Sequence, residues 1–132
     1  MEEIIRIVRN NPVFQDVMSR VKEEFFINDT IHGISHNERV ALLACYIGIK
    51  EGLNNDELKL VLEAAMYHDI GRGFEGNHGH NSATIVDRNK EYIFPDLSDD
   101  ETNIIKSLCH GHSNADYRYK EIAELYLSLI HI

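Results

Sequence analysis

Apolar residues return every three or four positions along this chain, and strict polar–apolar alternation is absent. That periodicity predicts helices joined by short polar loops and no sheet. Residues 2–8 and 13–26 form one helical region broken at Asn11-Pro12. Pro12 suits a first helical turn, where its missing N–H leaves nothing unpaired. Within the second piece Phe14, Val17, Met18, Val21 and Phe25 share a face, as core residues do. A loop over 29–35 contains Gly33. From 36 to 51 the recurring set is His36, Val40, Leu43 and Ile47, and Gly52 ends the helix as a C-cap.

Asn54 and Glu57 have capping-box spacing and open a helix over 58–69. On its core face Leu58, Val61, Leu62 and Ala65 lead directly into His68 and Asp69. An unpaired carboxylate in an apolar interior neutralises, pairs with a cation or binds a metal, so this pair predicts a ligand site. Gly71, Gly73, Gly76 and Gly79 mark an irregular stretch before a helix over 80–90. Ser98 and Glu101 form a second capping box, opening a helix that runs to His110, with Gly111 behind it. After a loop at 114–117, a last helix over 118–132 places Ile122, Leu125, Leu129 and Ile132 on one face. Its final turn, Leu129-Ile130-His131-Ile132, is apolar and uncapped. It reads as a helix cut short, and its apolar surface suits a second copy of the chain in a homo-oligomer. The sum is an all-α chain, a single helical bundle of about five to seven helices over residues 1–132.

Bulk properties narrow the chemistry. A chain of 132 residues supports one packed core. The formal charge of −9, with no basic stripe, opposes binding to a nucleic-acid polymer. No apolar run approaches the length of a membrane span and the acidic start lacks a signal's basic region, so no membrane partner is expected. Cys45 and Cys109 are the only cysteines, without Cys-x-x-Cys spacing, which predicts reduced thiols in a cytoplasmic protein. Cys45 lies inside an apolar helix, and Cys109 has no base arrangement that would make it a nucleophile. Donors remain in quantity. His36, His68 and Asp69 come from the ends of two helices that can pack side by side, and His80, His110 and His112 from two further helix ends. Imidazole and carboxylate suit Mn, Fe, Ni, Co or Zn better than they suit calcium.

These residues carry a family resemblance. The order His36…His68-Asp69 resembles the H…HD…D pattern of the HD superfamily of metal-dependent phosphohydrolases. Asp29-Thr30-Ile31-His32-Gly33-Ile34-Ser35-His36-Asn37-Glu38-Arg39-Val40 resembles its first motif, in which a loop histidine precedes the ligand and Arg-Val follows. Ala64-Ala65-Met66-Tyr67-His68-Asp69-Ile70-Gly71-Arg72 is similar to its second, often written AALLHDIG. His80-Asn81-Ser82-Ala83 resembles the H-x-x-S-A opening of the next helix, and the segment from Ile104 to His110 the helix after that, ending in histidines. The similarity covers residues 29–112. The family's last motif, an aspartate in a D-A-D-x-L-like segment, has no counterpart before Ile132, and Asp116 stands in a loop that does not match it.

The resemblance implies one or two divalent transition-metal ions. His36, His68 and Asp69 would hold the first, with His80, His110 and His112 expected at the second. Periodicity favours His112 there and the motif favours His110. The ion would acidify a water for in-line attack on phosphorus, with Asp69 orienting it and Arg72 neutralising phosphate charge. His32, Arg39, Arg72 and His78 are the expected contacts to a small phosphorylated substrate such as a nucleotide. Two alternatives stay open: an HD-like di-iron oxygenase, and an inactive remnant serving as a binding or regulatory module.

Overall fold

The protein's computed structural model describes residues 2–27 and 33–110. Over those residues the chain forms α1 (Glu2–Arg9), α2 (Pro12–Ser19), α3 (Ile34–Lys50), α4 (Asn55–Tyr67), α5 (His78–Arg88), α6 (Lys90–Ile93) and α7 (Asp99–His110), with 3₁₀ turns at Glu23–Phe25 and Ile70–Gly73. No strand occurs among the described residues, so the expected all-α bundle is what forms. Nor is any helix among them long and apolar enough to cross a membrane. The predicted last helix over 118–132 and the start of the 29–35 loop lie outside the described residues.

The local signals act as the sequence predicts. Asn11 Oδ1 accepts the Val13 and Phe14 N–H groups at 2.9 and 3.1 Å, fixing the start of α2 around Pro12. Asn54 and Glu57 close a reciprocal capping box at 2.8 and 3.1 Å. Ser98 and Glu101 do the same for α7 at 3.2 and 3.0 Å. Gly52 takes φ +77°, the left-handed C-cap conformation that glycine adopts without a Cβ penalty.

Two expectations change. The helix predicted over 13–26 stops at Ser19. The Lys22 N–H goes to the buried Tyr67 hydroxyl at 3.0 Å instead of continuing the helical ladder, and Arg20 is bonded to Asp16 at 3.0 Å and also to Asp96. A tertiary acceptor for the Lys22 N–H outcompetes the two further turns predicted there. In α3 the face predicted from His36, Val40, Leu43 and Ile47 is not the most buried one, and Leu43 is exposed. The buried face is Asn37, Ala41, Ala44, Cys45 and Gly48. Small residues win because α3 lies close against α4: a Cβ on Gly48 would stand 2.8 Å from Leu58 Cδ1.

α4 is the centre of the fold, packed against α2, α3 and α7, and every residue from Leu60 to Tyr67 is buried. α5 packs against α7 and against the 3₁₀ turn that follows α4. The central helix therefore ends in a place fixed from several sides, and its next two residues are His68 and Asp69.

Burial in α4 extends to Glu63, which is only 6% exposed. It borders a cavity of about 20 Å³, room for about one water. Burial pushes its carboxyl up to about 8; the Asp16 charge adds to this, while Lys59 and Arg20 oppose it. The folded-state value is above the ordinary one near ~4.3, so folding takes up a proton between the two. Stability is accordingly highest below the ordinary value and is lost as pH rises through about 8. Glu63→Gln, neutral throughout, is expected to flatten that decline. Denaturant unfolding between pH 5 and pH 9 checks it: the wild type should lose up to roughly 1.4 kcal/mol per pH unit relative to the variant inside the window.

Candidate metal centre

The site is built where α4 ends. His68 is the last residue to keep helical backbone, at φ −63° and ψ −22°, and Asp69 leaves the helix at φ −114° and ψ 5°. The predicted helix over 58–69 is thus shorter at its C-terminal end, and the carboxylate opens the following 3₁₀ turn. Leaving the helix lets the two neighbouring side chains aim at one point instead of diverging by the helical rotation.

His68 Nδ1 lies 2.6 Å from the Ala65 carbonyl oxygen. A carbonyl can only accept, so Nδ1 carries the proton and the neutral ring presents its Nε2 lone pair. Burial lowers the imidazole's pKa, and the His36 and Arg72 charges add to this; the Ala65 carbonyl and Asp69 act the other way. The net effect favours the neutral, metal-ligating form. An imidazole anchored by its other nitrogen is a recurrent way of orienting a metal ligand.

Asp69 is 3% exposed. Arg72 Nε donates to both of its oxygens, at 2.9 and 3.0 Å, across the turn closed by the Arg72 N–H to the Asp69 carbonyl at 3.1 Å. Arg72 therefore stands first as the group that holds the carboxylate. The turn itself is pinned from α5, where Ser82 Oγ accepts the Gly71 N–H at 2.8 Å.

The two imidazoles and the carboxylate converge. Each of His36, His68 and Asp69 offers one donor atom, and all three atoms lie within 4.8 Å of one another. The His36 and His68 ring centroids are 6.3 Å apart. An ion with bonds of ~2.0–2.2 Å needs donors roughly 3–3.5 Å apart, so side-chain shifts of an ångström or two close the set. Two nitrogens and one oxygen, with a buried carboxylate, fit a first-row divalent cation and leave coordination positions open.

His80 is exposed on the first turn of α5, where its N–H is capped by Asn77 Oδ1 at 2.8 Å, and it does not join the donor group found among the described residues. α5 begins at His78, two residues before the predicted start. His78 is half-buried, and its carbonyl faces Gly71. Arg39 is exposed and lines a groove toward α1 and α2. His32, His112 and the His110 side chain lie outside the described residues.

Sequence reading passed over Ser82 as a working residue, although the His80-Asn81-Ser82-Ala83 motif contained it. It also passed over Asn37, next to His36 and 1% exposed. Asn37 donates to the Gly33 carbonyl at 3.3 Å, and its Oδ1 has no partner among the described residues. Its helical spacing from Ala41, Ala44 and Gly48 was the available signal.

The family model described as HD domain matches residues 33–131, most of the chain and all three converging donors. No curated protein matches the chain, and neither does any solved structure.

Proposed function

The chain belongs to the HD-domain family, and on that premise we propose that it is a metal-dependent phosphohydrolase acting on a small phosphoester such as a nucleotide. The observation that supports this reading is the convergence of His36, His68 and Asp69 at the end of the central helix. A divalent ion held by them would supply Lewis-acid stabilisation of phosphoryl oxygens and would acidify water at neutral pH.

The chain's own groups serve that chemistry in separable ways. The Ala65 carbonyl keeps the His68 proton on Nδ1, so Nε2 is presented as a lone pair at working pH. Arg72 holds the Asp69 carboxylate in one orientation through Nε. Its guanidinium has four further N–H donors on the terminal nitrogens, and these are the proposed contacts to a phosphate oxygen. Asp69 is the proposed acceptor for a proton of the attacking water. His80, His110 and His112 are proposed for a second ion, and His32 and His78 for substrate. A small substrate suits a surface whose formal charge of −9 opposes a polyanion. A reducing compartment suits Cys45 and Cys109, both buried free thiols.

The test is release of inorganic phosphate from nucleoside monophosphates and p-nitrophenyl phosphate by chelator-treated protein supplemented with Mn²⁺, Co²⁺, Ni²⁺, Zn²⁺ or Fe²⁺. Turnover restored by at least one ion is expected. The same ion at about 100 times its Kd should add about 2.7 kcal/mol of stability, a melting shift on the order of 10 °C. Binding without phosphate release under any ion would overturn the hydrolase reading and leave a binding module. Oxygen consumption with iron would replace hydrolysis by oxygenation.

A further inference from the structure

Between the corner joining α1 to α2 and the first turns of α3 lies a groove of about 390 Å³. That volume falls within the range of small-molecule sites. Its apolar lining is Phe14 and Met18 of α2 and Leu42 of α3, all buried or half-buried. Phe14 is 9% exposed, so one aromatic side chain is already fixed by packing while still bordering the opening. The rim is charged. Arg9, in the last turn of α1, and Arg39, one turn beyond His36, both line it, together with Ser35 and Glu38.

We propose that this groove binds small amphipathic monoanions: molecules joining one ring-sized apolar body to one anionic group. Two observations carry this beyond a surface depression. First, both guanidinium groups are exposed, and neither forms an ion pair with a described residue, on a chain with a formal charge of −9. Arginine side chains on so acidic a protein have abundant carboxylates to pair with, and these two face a shared opening instead. Second, the charged lining residues are exposed while the apolar ones are buried or half-buried. That arrangement orients a ligand with its ring inward and its anion toward the guanidinium groups. Glu38 leaves the rim one net positive charge, which favours a single negative charge over two. The Ser35 hydroxyl adds a neutral donor.

This site does not depend on the metal centre. None of its lining residues belongs to the converging donor group, although Ser35 precedes His36 in the chain.

Fluorescence titration of the full chain with anilinonaphthalene sulfonate, an aromatic body bearing one anionic group, tests it. One saturable site per chain is expected, weakened by added salt. Arg9→Gln combined with Arg39→Gln should weaken binding about tenfold or more, and Ser35→Asp should do so by placing a carboxylate in the groove. All three positions are exposed, and unchanged melting curves will show that the variants fold. Phenylnaphthylamine, which lacks the sulfonate, should bind at least about tenfold more weakly than the sulfonate. Chelator treatment should leave the titration unchanged, which separates this result from the fate of the hydrolase reading. Unsaturable binding, equal binding of the uncharged probe, or full affinity in both variants would each overturn the proposal. So would sedimentation showing that a second copy of the chain occludes the groove.

Discussion

Alanine in place of His68 should remove stoichiometric first-row metal from the protein. Groups that only orient a ligand already cost 10–100-fold in metal affinity when lost, so a residue that binds the ion directly is expected to cost more than about a hundredfold. His36→Ala should behave the same way, because both rings contribute to one donor group within 4.8 Å. Asp69→Asn preserves shape while removing the charge. It also leaves Arg72, bonded to both Asp69 oxygens, facing a neutral amide. Elemental analysis and calorimetric titration of each variant, beside phosphate release, make the check. Melting in the presence of chelator separates metal loss from misfolding: the His68 variant also forfeits its bond to the Ala65 carbonyl, worth about 1 kcal/mol. Wild-type metal affinity in His68→Ala would place the ion somewhere other than the end of α4.

Gly71→Ala is expected to be strongly destabilising. Its Cβ would stand 2.4 Å from the Ser82 amide nitrogen, 2.6 Å from Asn81 Cβ and 2.7 Å from the His78 carbonyl oxygen. Two of these are backbone atoms in the first turns of α5 and cannot swing aside as a side-chain tip can. Relief requires the 3₁₀ turn to lift from α5, which also lengthens the Gly71 N–H to Ser82 Oγ bond of 2.8 Å. Overpacking and loss of a buried hydrogen bond together cost roughly 2–4 kcal/mol. The melting temperature should fall on the order of 10 °C. Gly48→Ala provides the contrast: its new methyl meets the ends of Leu58 and Leu53, flexible tips that can rotate. Comparable losses at both positions would show that the turn is not locked to α5 as described. Metal affinity should drop in Gly71→Ala as well, since Asp69 begins the turn that moves.

Much of the fold was legible because its signals are local. Capping boxes at Asn54 and Ser98 operate within four residues, and the pairings they predict are the ones formed. The stripe of α4 was legible because a helix buried on several sides stays apolar whichever face is counted. The face of α3 was not. Hydropathy ranks Val40, Leu43 and Ile47 above alanine and glycine, whereas close approach to α4 selects for small volume, which hydropathy does not measure. The end of α2 failed for a related reason. Residues 20–26 carry helical spacing, but the Lys22 N–H finds its acceptor 45 residues away, on Tyr67.

The candidate site divides along the same line. His36, His68 and Asp69 could be chosen from the sequence because polar donors at the end of an apolar stripe need a partner, and because motif order restricts which histidines belong together. Whether those side chains meet is a property of how α3 and α4 pack and of Asp69 leaving the helix one residue after His68. The anchoring of His68 by Ala65, of Asp69 by Arg72 and of the turn by Ser82 has the same origin. By itself, then, the chain's sequence determined that it would be helical, that Asn54 and Ser98 would cap two of its helices and which groups must be satisfied at the end of α4. The tertiary structure alone decided which face of α3 is buried, which donors converge and that Arg39 looks into a groove. The physical reason is range: caps and periodicity act between residues a few positions apart, whereas steric fit and donor geometry exist only after distant segments are brought within ångströms of one another.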